Sequence, residues 1–211
     1  MSNDAGTTRD GNGFSGACDL LFTAFEPSGD EHASKVIAEI RRRRPKLAIC
    51  AWGGPKMVKA GAVVIERTGD DAVMGVPGLA KIREHQKINV RIEDWVKKHP
   101  VNVHVPVDSP AANFPICEIT KKSGSRVVHL VAPQIWAWGR WRIHKLRRLT
   151  DLVLCLLPFE EEFFAKRNVP AKSATFFAIC LPREQPTSQV TWASSNCASP
   201  SIVNLTFFTI V

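Results

Sequence analysis

Five apolar runs, each too short for an ordinary helix and spaced far enough apart to hold one between them, govern what this chain can fold into. Residues 20–25 (LLFTAF), 47–52 (LAICAW), 101–107 (VNVHVPV), 127–132 (VVHLVA) and 151–157 (DLVLCLL) read as strands. They are apolar almost throughout rather than at every second position, the pattern of strands covered on both faces, as in a parallel sheet. Between them lie helical stretches: 28–43, a short one at 56–60, a long one at 78–99 with Leu79, Ile82, Ile92, Trp95 and Val96 on helical spacings, and 116–122 ended by Gly124. A brief strand at 63–65 completes the alternation, and Pro158 stops the last strand. Strand following helix in this order predicts an α/β fold, a Rossmann-like parallel sheet flanked by helices.

The two ends differ from this body. Residues 1–18 are polar and Gly-rich and show no basic-then-apolar signal sequence, so they are expected to form a disordered leader. The Rossmann-like domain is assigned to 19–175. From Gln185 to Val211 there is no Lys, Arg, Asp or Glu and no periodicity, and 176–211 is expected to be an irregular tail, out of frame or unstructured. No window reaches the ~18 apolar residues of a membrane span. Cys18, Cys50, Cys117, Cys155, Cys180 and Cys197 contain no CxxC pair, and a reducing cytoplasm is the simpler setting. A net charge of +8 favours anionic partners, whether phosphates, nucleic acid or an acidic membrane surface.

Several stretches could carry chemistry. Where the first strand turns into the first helix, Glu26-Pro27-Ser28-Gly29-Asp30-Glu31 reads either as a capping box from Ser28 to Glu31 or as a helix start that admits a ligand at Gly29. It is not GxGxxG, so a dinucleotide site has little support. Asp108 closes a strand ahead of Ser109-Pro110, which puts a carboxylate at the carboxyl edge of a parallel sheet; it is either a turn residue or a general base. The segment 133–148 sets Trp136, Trp138 and Trp141 among Arg140, Arg142, Lys145, Arg147 and Arg148, either a solvated helix face or a surface for an amphiphilic or anionic ligand. No recognised nucleic-acid module accompanies these bases, so no nucleic-acid partner is expected. The histidines lack ligand spacing, no metal is assigned, and His129 is expected to be a core residue.

Taken in order, Pro27-Ser28-Gly29-Asp30, Gly53-Gly54-Pro55-Lys56-Met57 with Ala60-Gly61, Val73-Met74-Gly75, Asp108-Ser109-Pro110, Pro133-Gln134-Ile135-Trp136-Ala137-Trp138 and Asp151-Leu152-Val153-Leu154 with Leu157-Pro158-Phe159-Glu160 resemble the lipid-A-disaccharide synthase family, inverting glycosyltransferases of the two-domain GT-B type. The likeness runs from about residue 19 to 170. It implies transfer of a diacylated glucosamine from its UDP donor to diacylglucosamine 1-phosphate, without metal or cofactor, by an enzyme held peripherally on the cytoplasmic face of the inner membrane. By this likeness Asp108 is the base for the acceptor 6-hydroxyl. Ser28, Gly29, Asp30, Gly53, Gly54, Gln134, Trp136, Trp138 and Arg142 would contact substrate, while Val73, Met74, Val76, Leu79 and Ile82 would touch the membrane beside Lys81, Arg83 and Lys87. After Asp108-Ser109-Pro110 the chain has Ala111-Ala112-Asn113, where the family usually has an aromatic residue before the Asn. The family's second, donor-binding domain has no counterpart in the sequence, so the chain by itself is not expected to catalyse transfer. The alternative, a non-catalytic module binding anionic lipid at a membrane surface, stays open at this point.

Overall fold

A computed structural model describes residues 16–68, 78–137 and 139–173, with the side chains of 78–82 and 140 left out. Seven parallel strands form one sheet in the order β3-β2-β1-β4-β5-β6-β7. They are β1 (Cys18–Thr23), β2 (Ile49–Gly53), β3 (Val63–Arg67), β4 (Val101–Pro106), β5 (Arg126–Leu130), β6 (Leu152–Cys155) and β7 (Ala171–Ser173). The helices are α1 (Pro27–Arg43), α2 (Pro55–Lys59), α3 (Gly78–Lys98), α4 (Pro110–Lys122), α5 (Ile143–Leu149) and α6 (Pro158–Ala165), with a 3-10 turn over Arg140–Arg142.

The near-continuous apolar strands are buried as a two-sided sheet requires. On one face, Leu20, Phe22, Ile49, Ala51, Val103, Val105, Val128 and Leu130 pack with Ala33, Ile37 and Ile40 of α1 and Met57 of α2. The α1 residues recur at four- and three-residue steps, so a single stripe meets the sheet. On the other face, Ile88, Ile92, Trp95 and Val96 of α3 pack on Leu21, Cys50 and Trp52. There the Trp52 and Trp95 rings meet edge to face at 5.2 Å, a favoured aromatic geometry. A third cluster joins α4, α5 and α6 through Phe114, Cys117, Leu146, Leu149 and Phe164 to Val127, Val153 and Cys155.

Three local expectations change. The first helix begins at Pro27 with Glu26 as its N-cap, and no side chain caps it, so Ser28 and Glu31 do not form a capping box. Proline's fixed φ suits the first helical position and draws the start one residue earlier. Helix α4 begins at Pro110 rather than 116 and carries Pro115 inside. That proline withholds only one N–H close to the helix start, where the ladder has just begun. Strand β6 already stops at Cys155, and Pro158 instead opens α6, whose Glu160 carboxylate accepts the Leu157 N–H at 3.0 Å. Residues 1–15 and 174–211, and with them most of the expected leader and all of the expected tail, lie outside the described residues, while Cys18, assigned to the leader, opens β1.

Strand order places the reversal between β1 and β4, where the chain winds outward in both directions. Crevices outside the carboxyl ends of strands at such a point are where open α/β sheets take ligands. The segments that leave this edge are those after β1 (24–26), β4 (107–109), β5 (131–139) and β6 (156–157).

Candidate functional site

The turn after β4 is built against backbone preference. Asp108 has φ 47 and Ser109 φ 35, consecutive non-glycine residues in left-handed conformation, and Val131 in the neighbouring turn after β5 has φ 63. Left-handed backbone costs an L-residue roughly 1–2 kcal/mol, and for β-branched valine it is a genuine outlier. Such conformations persist only where the surroundings over-determine them. Here the Asp108 N–H donates to the Leu130 carbonyl at 3.0 Å, and the Asp108 carbonyl accepts from the Asn113 side-chain amide, also at 3.0 Å. The Ser109 hydroxyl donates to Glu26 at 2.5 Å, bridging the turn after β4 to the loop after β1.

Asp108 is therefore partly exposed at the switch point, with its backbone held from both sides. Burial raises its carboxyl pKa and the Glu26 carboxylate raises it further, while the Ser109 N–H and His32 act in the opposite sense. A carboxylate with a raised pKa takes up a proton more readily, as a general base must.

The glycine motifs have a different explanation. Asp30 is buried, 5% exposed, and its carboxylate points away from the first helix toward the second. It accepts the N–H groups of Gly54 at 3.2 Å, Lys56 at 3.0 Å and Met57 at 3.0 Å, satisfying the orphan donors at the start of α2. A Cβ on Gly54 would overlap that carboxylate, and one on Gly53 would stand 2.5 Å from the Met57 sulfur. Gly53, Gly54 and Asp30 thus lock β2 and α2 onto α1, and these contacts account for all three without a ligand. Gly29 is buried with Ala24 Cβ 3.1 Å from where its own Cβ would lie, whereas Ser28 and Glu26 are exposed on the switch-point edge.

The Trp-rich turn lies on the same edge. Gln134 is exposed, and the Trp136 indole donates to Glu160 at 3.1 Å while its ring meets Phe159 edge-on at 5.0 Å. Trp136 therefore clips the turn after β5 to α6. Trp141 is 70% exposed beside the Arg142 guanidinium, 5.1 Å from its ring. Lys145 and Arg148 spend their charge on Glu118 of α4, at 3.1 and 3.3 Å, so the basic face is narrower than its sequence suggests. Trp138, Val73, Met74 and Val76 fall outside the described residues; Leu79 and Ile82 belong to the first turns of α3.

The buried residues behind Asp108 give little signal in sequence. Thr23, His104, Asn113 and Thr120 are all fully buried and form a hydrogen-bonded chain that ends on the Asp108 turn. A threonine and a histidine inside otherwise apolar strands are the only hint. His129 is a core residue as expected, fully buried, with its pKa lowered to about 4 by desolvation. Among the described residues no cluster of His, Cys, Asp and Glu could hold a metal ion.

An open, parallel, doubly wound sheet with a partly buried carboxylate at its switch point defines a Rossmann-like α/β domain. Residues 20–173 match the family described as lipid-A-disaccharide synthetase. The lipid-A-disaccharide synthase of Myxococcus xanthus is 34% identical over 154 residues, covering 72% of this chain and 40% of that protein. That of Vibrio parahaemolyticus is 35% identical over 150 residues, covering 71% and 40%, and that of Geobacter metallireducens 32% over 155, covering 72% and 40%. The chain belongs to the lipid-A-disaccharide synthetase family, and it matches about 40% of the length of these relatives.

Proposed function

We propose that this chain supplies the acceptor-side half of a glycosyltransferase that joins two acylated glucosamines, with Asp108 as the general base. The acceptor is a 2,3-diacylglucosamine 1-phosphate and the donor a UDP-2,3-diacylglucosamine. Asp108 takes the proton of the acceptor 6-hydroxyl as that oxygen bonds to the donor's anomeric carbon. The carbon–oxygen bond to UDP breaks on the opposite side, so configuration inverts and UDP leaves. One carboxylate suffices for such a single displacement. The observation that carries this reading is the position of Asp108: at the switch point, partly buried, with a raised pKa, on a turn pinned by β5 and α4.

The exposed Ser28, Glu26, Gln134 and Trp141 and the partly exposed Arg142 stand on the same edge of the sheet, placed to meet a phosphorylated, acylated sugar. We further propose that the entrance to α3, with Leu79, Ile82 and the preceding Val73, Met74 and Val76, rests on the cytoplasmic face of the inner membrane. The exposed Arg83 and Lys87 lie on the following turn, placed for anionic headgroups. No helix among the described residues is long and apolar enough to cross a membrane. Asp108→Asn, made in a protein that also carries the portion found in the longer relatives, should abolish UDP release while leaving liposome binding intact. Survival of transfer would remove Asp108 from its role.

A further inference from the structure

We propose that Asn113, oriented by Thr23 and His104, is the positioning residue that holds the Asp108 turn in its left-handed conformation. The inference rests on the reading of Asp108 as the base, and goes beyond it in naming what aims that base.

Asn113 sits in the first turn of α4, fully buried, and its side-chain amide donates to two successive carbonyls, Val107 and Asp108, each at 3.0 Å. Both amide protons are thereby used. The amide oxygen must then face the other way, toward Thr23, whose hydroxyl lies 2.7 Å from it and has to donate. A hydroxyl has one proton, so Thr23 can only accept from its other neighbour, the His104 ring nitrogen Nε2 at 2.9 Å. His104 must therefore carry a proton on Nε2, while its Nδ1 lies 3.0 Å from the Thr120 hydroxyl, whose single proton is also within reach of the Ile116 carbonyl at 3.1 Å.

The order of donors is fixed from Asn113 through Thr23 to the His104 Nε2. Were His104 protonated on Nδ1 instead, Thr23 would donate to Nε2 and the Asn113 oxygen would lose its donor. Turning the Asn113 amide over to compensate would press its oxygen against two carbonyl oxygens. Desolvation, reinforced by His129, lowers the His104 pKa to about 3, which keeps the ring neutral. Since none of these groups reaches the crevice, their effect on chemistry passes through the Asp108 backbone alone. With the Asp108 N–H already held by Leu130, fixing its carbonyl sets the direction in which the carboxylate leaves the chain.

The test uses the 211-residue protein and needs no substrate. Nitrogen-15 NMR of the His104 imidazole in the unsubstituted chain should show a proton on Nε2 at pH 7; a ring protonated on Nδ1 alone overturns the proposal. In Thr23→Val, which keeps shape and loses the hydroxyl, exchange of the Asn113 side-chain amide protons should quicken about tenfold, the equivalent of one hydrogen bond. The Asp108 carboxyl titration, monitored by carbon-13 NMR, should move with it, and Thr23→Ser should restore both. Unchanged exchange and titration in Thr23→Val overturn the proposal, and if that variant does not fold the His104 measurement still decides it. Transfer assays on Asp108→Asn examine the base separately, so loss of one reading does not disguise loss of the other.

Discussion

Asp30 offers the clearest separation of a structural carboxylate from a substrate-binding one. Its oxygens accept the N–H groups of Gly54, Lys56 and Met57, two of them in fully buried bonds. Asp30→Ala strands the Gly54 and Met57 donors, at about 1–3 kcal/mol each, and removes the negative charge from the start of α2. Some water will enter, so a total loss of roughly 3–5 kcal/mol is expected, or a fall in Tm on the order of 10 °C for a domain of this size. Asp30→Asn should cost about half as much. Its oxygen can still serve Gly54 and Met57, which share Oδ1, and only the Lys56 donor then faces an amide N–H. Gly54→Ala adds a Cβ that overlaps the carboxylate, so it should be far less harmful in the Asp30→Ala background than alone. Urea denaturation monitored by circular dichroism gives all four stabilities and the coupling. If Asp30→Ala melts within about 1 °C of the wild type, under the roughly 2–4 °C shift for 1 kcal/mol, Asp30 does not act as the cap of α2 and a ligand role regains its place.

Other predictions follow from the same contacts. Because the folded-state pKa of Asp108 is raised, its contribution to stability is full below the ordinary carboxylate range and is lost as pH rises through the folded value. Asp108→Asn should therefore gain stability relative to wild type at pH 7, and the advantage should vanish by pH 3 in parallel urea titrations. Val131→Gly relieves a φ of 63 worth about 1–2 kcal/mol while losing a half-buried side chain and adding chain entropy, so its measured stability should lie within about 1 kcal/mol of wild type. Trp136→Phe keeps the ring against Phe159 but loses the bond to the buried Glu160, and should cost about 1–2 kcal/mol by thermal melt.

Much of this molecule can be read in its letters because a two-sided parallel sheet writes itself as uninterrupted apolar runs, and β1, β2, β4, β5 and β6 stand where those runs do. The three-residue β7 escaped, since Ala171-Lys172-Ser173 has no apolar run, and α6 escaped because Pro158 was read as a strand stop when it is the first residue of a helix. Asp108 was legible as a carboxylate at a strand's carboxyl end. Asp30 was not legible as a cap, because its partners lie more than 20 residues away on another element. The chain from Thr120 to Asn113 was hidden for the same reason: its members look like scattered polar residues until β1, β4 and α4 bring them together. His104 in particular could be set aside as lacking metal spacing, when its ring in fact sits between two threonine hydroxyls, Thr23 and Thr120.

The role proposed for the carboxylate at the switch point is removal of the acceptor proton. The direct measurement is UDP release with both acylated sugars, comparing Asp108 with Asp108→Asn in a protein extended by the portion its relatives carry beyond residue 173. Loss of about 10²–10⁴-fold in kcat with acceptor binding retained is the predicted result for a missing general base. Release at the wild-type rate from the Asn variant would contradict it.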